Sequence, residues 1–390
     1  VSALPAHRVG TALVEVPGDG APLVRTEVRV EQTRHAFGFG NIGFELFDDH
    51  GTPDPALAPL FLDTFDLAVL PFYWGDFEPV EGRPQTTRQR RAAEWLAAQG
   101  VRRKGHPLVW HTLAPSWLLG RSNADVLAAV RRRIRRDVGE FAGLVDTWDV
   151  VNEAVIAPVF ANGDNAITPV VAAVGDVAFV ARAFAEARAA NPGVALHVND
   201  FDLSSRYEQL IARLLDAGVR IDGIGLQTHM HQGYPGEERA LDAADRFARF
   251  GIPLHFTETT LLSGDLMPPE IVDLHDYVRT DWPSTPEGEA RQAEELERHY
   301  RSLFGHPAVV SITYWGLADR GAWLGAPAGL VRRDGTPKPG YHALRNLIRG
   351  EWWTPPATLR TDAAGRVAVT GVKGDYRLTA PGTTVEFTID

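Results

Sequence analysis

The sequence predicts an α/β protein, a closed (β/α)8 TIM barrel with a small β-sandwich built from its two ends. Three observations lead there. Short apolar runs alternate with amphipathic stretches through the middle of the chain, the pattern of βαβ units on a parallel sheet. Eight such runs can be counted, which suits a closed barrel better than an open doubly wound sheet. The two ends read differently, alternating apolar and polar residues between glycine turns as half-buried strands do.

The eight barrel-strand candidates are residues 37–43, 66–72, 101–110, 145–152, 194–200, 222–228, 253–258 and 308–315. Helical patterns follow them, for example at 88–99, 123–143, 177–190, 206–217, 237–250 and 287–304, and the eighth falls at 341–349. The first strand is rich in glycine, Phe37-Gly38-Phe39-Gly40-Asn41-Ile42-Gly43, but its spacing does not suit a dinucleotide. Those glycines are expected to let neighbouring strands pack closely.

At the amino end, residues 13–16 and 23–31 read as strands around the turn Pro17-Gly18-Asp19-Gly20. In the tail, residues 367–369, 375–378 and 384–389 read as strands, with turns at Ala364-Gly365 and Lys373-Gly374. Neither end alone buries much surface, so a joint sandwich is expected, with the barrel inserted between its two parts. The expected division is 1–34 for its first strands, 35–350 for the barrel and 351–390 for the completing strands.

Composition narrows the function. The chain has 390 residues and a net charge of −11, which argues against a nucleic-acid partner. The basic run Arg131-Arg132-Arg133-Ile134-Arg135-Arg136 lies in the helical pattern Val126, Val130, Ile134, Val138 and is expected to be a solvated helix face. There are no cysteines, so disulfides, thiolate catalysis and cysteine-ligated metals are excluded. No apolar run has the length of a membrane span. The first residue is Val1, which fits a removed leader; secretion is the expectation and a cytoplasmic location the alternative. A monomer is expected.

Two motifs carry chemistry. Trp148-Asp149-Val150-Val151-Asn152-Glu153-Ala154 is a mostly apolar strand ending in Asn-Glu, and His255-Phe256-Thr257-Glu258-Thr259 is a second strand ending in Glu. The carboxyl ends of barrel strands hold the active site. One such Glu is readily a structural ion-pair partner. Two, on the fourth and seventh strands, are what glycoside hydrolysis requires: one group protonates the leaving oxygen while the other attacks the anomeric carbon or activates water.

Further segments fall in matching order. They are Lys104-Gly105-His106-Pro107-Leu108-Val109-Trp110-His111, Pro115-Ser116-Trp117-Leu118, His197-Val198-Asn199-Asp200-Phe201, Gly223-Ile224-Gly225-Leu226-Gln227-Thr228-His229, and Thr313-Tyr314-Trp315-Gly316-Leu317-Ala318-Asp319 with Trp323. With the two Glu motifs, these resemble glycoside hydrolase family 10, the family of endo-β-1,4-xylanases, from about residue 37 to residue 349. The resemblance implies a retaining enzyme acting on β-1,4-xylan or xylo-oligosaccharides, with no cofactor and no metal. It implies Glu153 as acid/base and Glu258 as nucleophile. Asn152 is then expected at the 2-hydroxyl of the reacting sugar, with Gln227, His229 and His111 lining that subsite and Trp315 and Trp323 as its aromatic floor and wall. Retention carries an expected carboxyl separation of about 5–5.5 Å.

The second strand departs from the family pattern. The family usually carries Glu-Asn and then Lys-Trp there, and the Asn and Lys bind glycone sugars. This chain has Leu67-Ala68-Val69-Leu70-Pro71-Phe72-Tyr73-Trp74, so Val69 and Leu70 replace Glu and Asn, Tyr73 replaces Lys, and Trp74 keeps its place. Tyr73 and Trp74 are carried forward as substrate-binding candidates. Thr260 stands where an acid that supports the sixth-strand histidine is common. The chemistry is retained and the specificity altered, which leaves room for exo action or for a glycoside with a bulky aglycone.

Two readings of other classes compete. His229-Met230-His231 is an H-x-H pair, and with His106, His111 and Asp200 it suggests a metal-dependent barrel hydrolase, although it leaves both strand-end Glu unexplained. A carbohydrate-binding barrel without catalysis is the other; both Glu, Asn152 and His229 count against it.

Overall fold

Alternating apolar runs of this length must bury both faces, and the chain does so by closing its sheet. The computed structural model describes residues 4–390. Val1, on which the expectation of a removed leader rests, lies outside them. Eight parallel strands form the barrel: β3 (Gly38–Ile42), β4 (Leu67–Pro71), β5 (Arg102–His106), β6 (Thr147–Asn152), β7 (Ala195–Asp200), β8 (Gly223–Met230), β9 (Leu254–Leu261) and β10 (Val309–Tyr314). They pair in chain order, and β10 closes onto β3 with Tyr314 opposite Asn41. The close packing expected of the first-strand glycines is visible at Gly40, where a Cβ would stand 2.8 Å from the Thr313 hydroxyl.

The third barrel strand is shorter than the sequence reading of 101–110. Its regular span ends at His106, and the segment beyond stays beside β6, the Leu108 and Val109 amides donating to the Asp149 and Val150 carbonyls. The apolar run Leu108-Val109 misled the reading, because both residues are buried from a loop that bridges to Val151.

Helices ring the barrel and take their ends from the sequence. Ser122 caps the helix Asn123–Glu140, accepting the amide of Asp125 at 3.2 Å. Thr285 caps the helix Pro286–Phe304, whose first residue is proline. The basic run lies on the helix Asn123–Glu140, but it is not wholly a solvated face. Arg131, Arg132 and Arg135 are exposed, whereas Arg133 is buried to 1%. Its guanidinium stacks 4.9 Å from the ring of Trp74 and donates to the carbonyls of Phe72 and Pro107. The helical period turned one arginine inward, where one guanidinium nitrogen donates to carbonyls at strand ends and Asp137 stands 3.5 Å from another.

The two ends of the chain meet. β1 (Val9–Glu15) pairs antiparallel with β12 (Arg366–Val372). β2 (Glu27–His35) lies between β11 (Ala357–Arg360) and β13 (Gly374–Ala380), with β14 (Thr383–Ile389) at the edge. Val14, Val16, Val28, Val30, Val367, Val369, Tyr376 and Leu378 share one core between the two sheets. The expected hairpin around residues 17–20 is corrected by this topology. The two amino-terminal strands do not pair with each other but go to different sheets, each finding its partner in the tail. Arg8 ties this layer to the barrel through the carbonyls of Phe304, His306 and Val309 at 2.6–2.9 Å.

Candidate active site

Both strand-end glutamates sit in an uncommon backbone conformation. Glu153 follows β6 and Glu258 lies within β9, and each has φ of +56°. A left-handed turn at a non-glycine residue costs free energy and persists where the surroundings over-determine it, commonly at functional sites. Here the Glu153 amide donates to the Asn199 carbonyl at 2.8 Å. The outcome is that two strands separated by β7 and β8 swing their carboxyls toward the barrel axis.

An amide relay joins the two groups. The Asn199 side-chain amide donates to Glu258 at 2.7 Å and to the Asn152 side-chain oxygen at 2.8 Å. Asn152 in turn donates to Glu153 at 3.2 Å. Thr257 donates to the Asn199 oxygen at 2.6 Å and fixes which way that amide points. A Cβ on Gly225 would stand 2.2 Å from the same oxygen, so only glycine leaves Asn199 its place. Gln227 donates to Asn152 at 3.1 Å and lies 3.5 Å from Glu153.

The surroundings push the two carboxyls apart in acidity. Burial, then the Glu258 and Asp200 charges, raise Glu153 to about 8, against the lowering effect of the Trp110 indole N–H that donates to it at 2.8 Å. Burial alone would raise Glu258 as well. His229 at 3.0 Å, His106 at 3.9 Å and Asn199 hold it below its ordinary value instead. One neutral acid and one carboxylate at neutral pH are the pair that acid/base and nucleophilic roles need. Asp200 accepts the amides of Val155 and Asp202, both at 3.0 Å, and so shapes the loop after Glu153.

The histidines divide by partner. His229 lies between Glu258 and the Thr260 hydroxyl, 2.9 Å from its other nitrogen. His106 bonds Asp149 at 2.8 Å on one side and faces Glu258 on the other, so it is at once a satisfied interior residue and a neighbour of the site. Lys104, 2.8 Å from Asp149, helps to hold that acid ionised, down to about 2. His111 is buried, lies 3.6 Å from Glu153 and packs on Phe160, and burial lowers it to about 4, which keeps it neutral.

Aromatic rings complete the walls. Trp315 packs edge-on against His106 and Phe44, and Trp323 lies over His229 with ring centroids 4.7 Å apart. Tyr73 meets Trp110, His106 and Phe44 at 5.6–5.7 Å. Trp74 does not join them, which corrects the expectation that it binds substrate. It is 4% exposed, its indole donates to Glu78 at 3.0 Å, and its ring lies between Arg133 and Trp117. The short helix Trp74–Phe77 begins there and turns that side chain outward from the barrel axis into the helix layer.

Sequence reading missed Asn199 and Trp110 as site residues, although both stood in quoted motifs. A polar residue near the end of an apolar strand was the available signal for Asn199. Trp110 gave none, because its loop was read as strand. The H-x-H pair does not gather ligands: His229 is engaged by Glu258, both ring nitrogens of His231 are buried without a partner, and among the described residues no three acidic or histidine side chains are placed to hold a metal.

A parallel barrel with two inward carboxyls at the ends of its fourth and seventh strands, one kept protonated and one ionised, defines the class of glycoside hydrolases. The comparisons narrow the class. The model of glycosyl hydrolase family 10 matches residues 72–347, and the chain belongs to that family. Endo-1,4-beta-xylanase B of Paenibacillus barcinonensis is 29% identical over 250 residues, covering 59% of this chain and 70% of its own. Endo-1,4-beta-xylanase B of Thermotoga neapolitana is 28% identical over 289 residues, covering 70% and 78%. Anti-sigma-I factor RsgI6 of Acetivibrio thermocellus is 27% identical over 374 residues; it matches 93% of this chain, which spans only 44% of that relative's length. Among solved structures, xylanase 10B of Thermotoga petrophila with xylobiose superposes with a TM-score of 0.67 at 23% identity, over 81% of this chain and 95% of that one, a likeness of fold.

Proposed function

We propose that the protein is a retaining β-glycoside hydrolase acting on β-1,4-linked xylan or xylo-oligosaccharides. The observation that carries this reading is the pair of inward carboxyls joined through Asn152 and Asn199, with Glu153 raised to about 8 and Glu258 lowered. The Glu258 carboxylate attacks the anomeric carbon as the C–O bond to the leaving group breaks, and Glu153 gives its proton to the departing oxygen. Glu153, now ionised, then takes a proton from water; the water oxygen attacks the same carbon and releases Glu258. Asn152, Gln227 and His229 border the position of the reacting sugar, and the apolar C–H faces of that sugar suit Trp315 and Trp323. The xylanase relatives support the choice of sugar.

The test is hydrolysis of aryl β-glycosides, with β-xyloside, β-glucoside and β-galactoside compared and Glu258→Ala as control. Product anomers are read by proton NMR in the first minutes. Glu258-dependent release of a β-anomer from the xyloside is expected. An α-anomer would replace retention by inversion. Binding of xylo-oligosaccharide with no Glu258-dependent turnover on any substrate would leave a sugar-binding barrel instead.

A further inference from the structure

The two halves of the barrel mouth differ in chemistry. The side of β6 to β9 is polar, lined by Asn152, Asn199, Gln227, His229 and Glu258. The side of β10, β3 and β4 is not. Ile42, Val69 and Trp315 form a small buried apolar cluster on three adjacent strands, and the half-buried Phe44 packs against it. The rings of Trp315, Phe44, Tyr73 and Trp110 follow one another at 5.6–5.7 Å, an aromatic arc around this half of the mouth.

The direction of the substrate follows from the acid. The leaving oxygen must meet the Glu153 carboxyl, which touches Trp110 and His111 beyond β5. The leaving group therefore departs over the loops after β5 and β6, and the rest of a sugar chain attached to the glycone runs the other way, toward Trp315, Phe44 and Tyr73. Each hydroxyl of a second sugar there would lose water and need a partner. The arc offers few. The Trp110 N–H is taken by Glu153, and one oxygen of Glu45 is held by the Ala318 amide at 2.6 Å. The arc's remaining polar atoms are the Tyr73 phenol and the Trp315 indole N–H, and the Tyr73 ring stands 5.7 Å from both His106 and Trp110, which face Glu258 and Glu153, so it lies beside the reacting sugar and not beyond it.

We infer that Tyr73 and the apolar arc it completes end the cleft one sugar beyond the cleavage point, so that the barrel removes single sugars from the non-reducing end of a β-linked chain or from a monoglycoside. This rests on the hydrolase reading above. It also assigns a specificity-determining role to Tyr73 and Phe44, which position the glycone without entering the bond changes.

The experiment compares aryl β-xyloside with aryl β-xylobioside, and aryl β-glucoside with aryl β-cellobioside, and follows the first products from reducing-end-labelled xylohexaose. The monoglycoside of the working sugar is expected to match or exceed its diglycoside in kcat/KM, and xylose is expected to appear first. A diglycoside preferred tenfold or more, or early internal cleavage of the hexamer, overturns the inference while leaving the hydrolase reading intact. Tyr73→Ala and Phe44→Ala, checked for folding by circular dichroism, are each expected to raise the diglycoside-to-monoglycoside ratio at least tenfold. An unchanged ratio in whichever of them folds also overturns it. Absence of Glu258-dependent activity on all four glycosides is a different failure: it removes the hydrolase reading, and the inference with it.

Discussion

Replacing Trp110 by Phe removes the shortest of the donors that favour ionised Glu153. The indole N–H reaches Glu153 at 2.8 Å, and phenylalanine keeps much of the ring area without the donor. A hydrogen bond to an ion is worth about 1.5–3 kcal/mol, against about 0.5–1.5 kcal/mol for a neutral pair. The carboxylate therefore loses about 1–1.5 kcal/mol more than the acid. At about 1.36 kcal/mol per pKa unit, Glu153 should rise by roughly one unit from its position near 8. The assay is kcat/KM against pH on an aryl glycoside. Its alkaline limb reports the group that must be protonated in the free enzyme, and its acid limb the one that must be ionised. The alkaline limb should move up by about a unit, with the acid limb, set by Glu258, nearly still. An alkaline limb that stays put or falls would refute either the role of Glu153 or the cause given for its raised pKa.

Other perturbations test other parts. Asn199→Ala removes the donor shared by Glu258 and Asn152, so kcat/KM should fall by about 10–100-fold, as for one lost bond to a charge, and the acid limb should shift upward; an unmoved acid limb would deny the coupling. Trp74→Phe should lower stability by about 1–3 kcal/mol through the Glu78 contact while leaving kcat/KM within twofold, and a large catalytic loss without destabilisation would restore Trp74 to the substrate site. Stability should peak near pH 6.5 in a urea series. Glu153 near 8, Asp200 near 7 and Glu45 near 7 hold protons that the unfolded chain releases, so stability falls as pH rises above the ordinary carboxyl range. Burial holds His35, His111 and His299 near 4 and His197 and His231 near 3, so the folded chain refuses protons that the unfolded chain binds, and stability falls as pH drops below 6.5. The histidine effect outnumbers the carboxyl effect below that point; a midpoint still rising from pH 7 to pH 8 would contradict the balance. Activity should survive EDTA, since His229 is committed to Glu258 and Thr260.

Much of this architecture was legible because period and burial agree. Strands β6 and β7 are largely apolar runs with polar ends, and a parallel barrel buries the run and opens the end. The reading failed where a residue's surroundings come from elsewhere in the chain. Leu108 and Val109 look like strand but are buried from a loop, while Arg133 looks solvated by composition and is buried by carbonyls of two barrel loops. Trp74 stands where the resemblance leads one to expect a tryptophan, yet register says which residue stands at a position, not which way a short helix turns its ring. The left-handed conformation of Glu153 and Glu258 had no sequence signal at all, because a glutamate takes it only under constraint from neighbours.

The joining of the two chain ends has a kinetic consequence. Thr11 and Thr370 share a hydrogen bond across 359 residues of sequence, so the strand pairs of this layer are among the least local contacts the chain can make. Formed from the open coil, such pairs would carry the full entropy of closing that loop. Once the barrel stands, its first and last strands lie side by side, and the remaining search is short. The reverse also holds, since a joined pair of ends keeps β3 near β10 and disfavours parting of the barrel at that seam. Each structure thus shortens the other's search, which couples the stability of the terminal layer to that seam of the barrel.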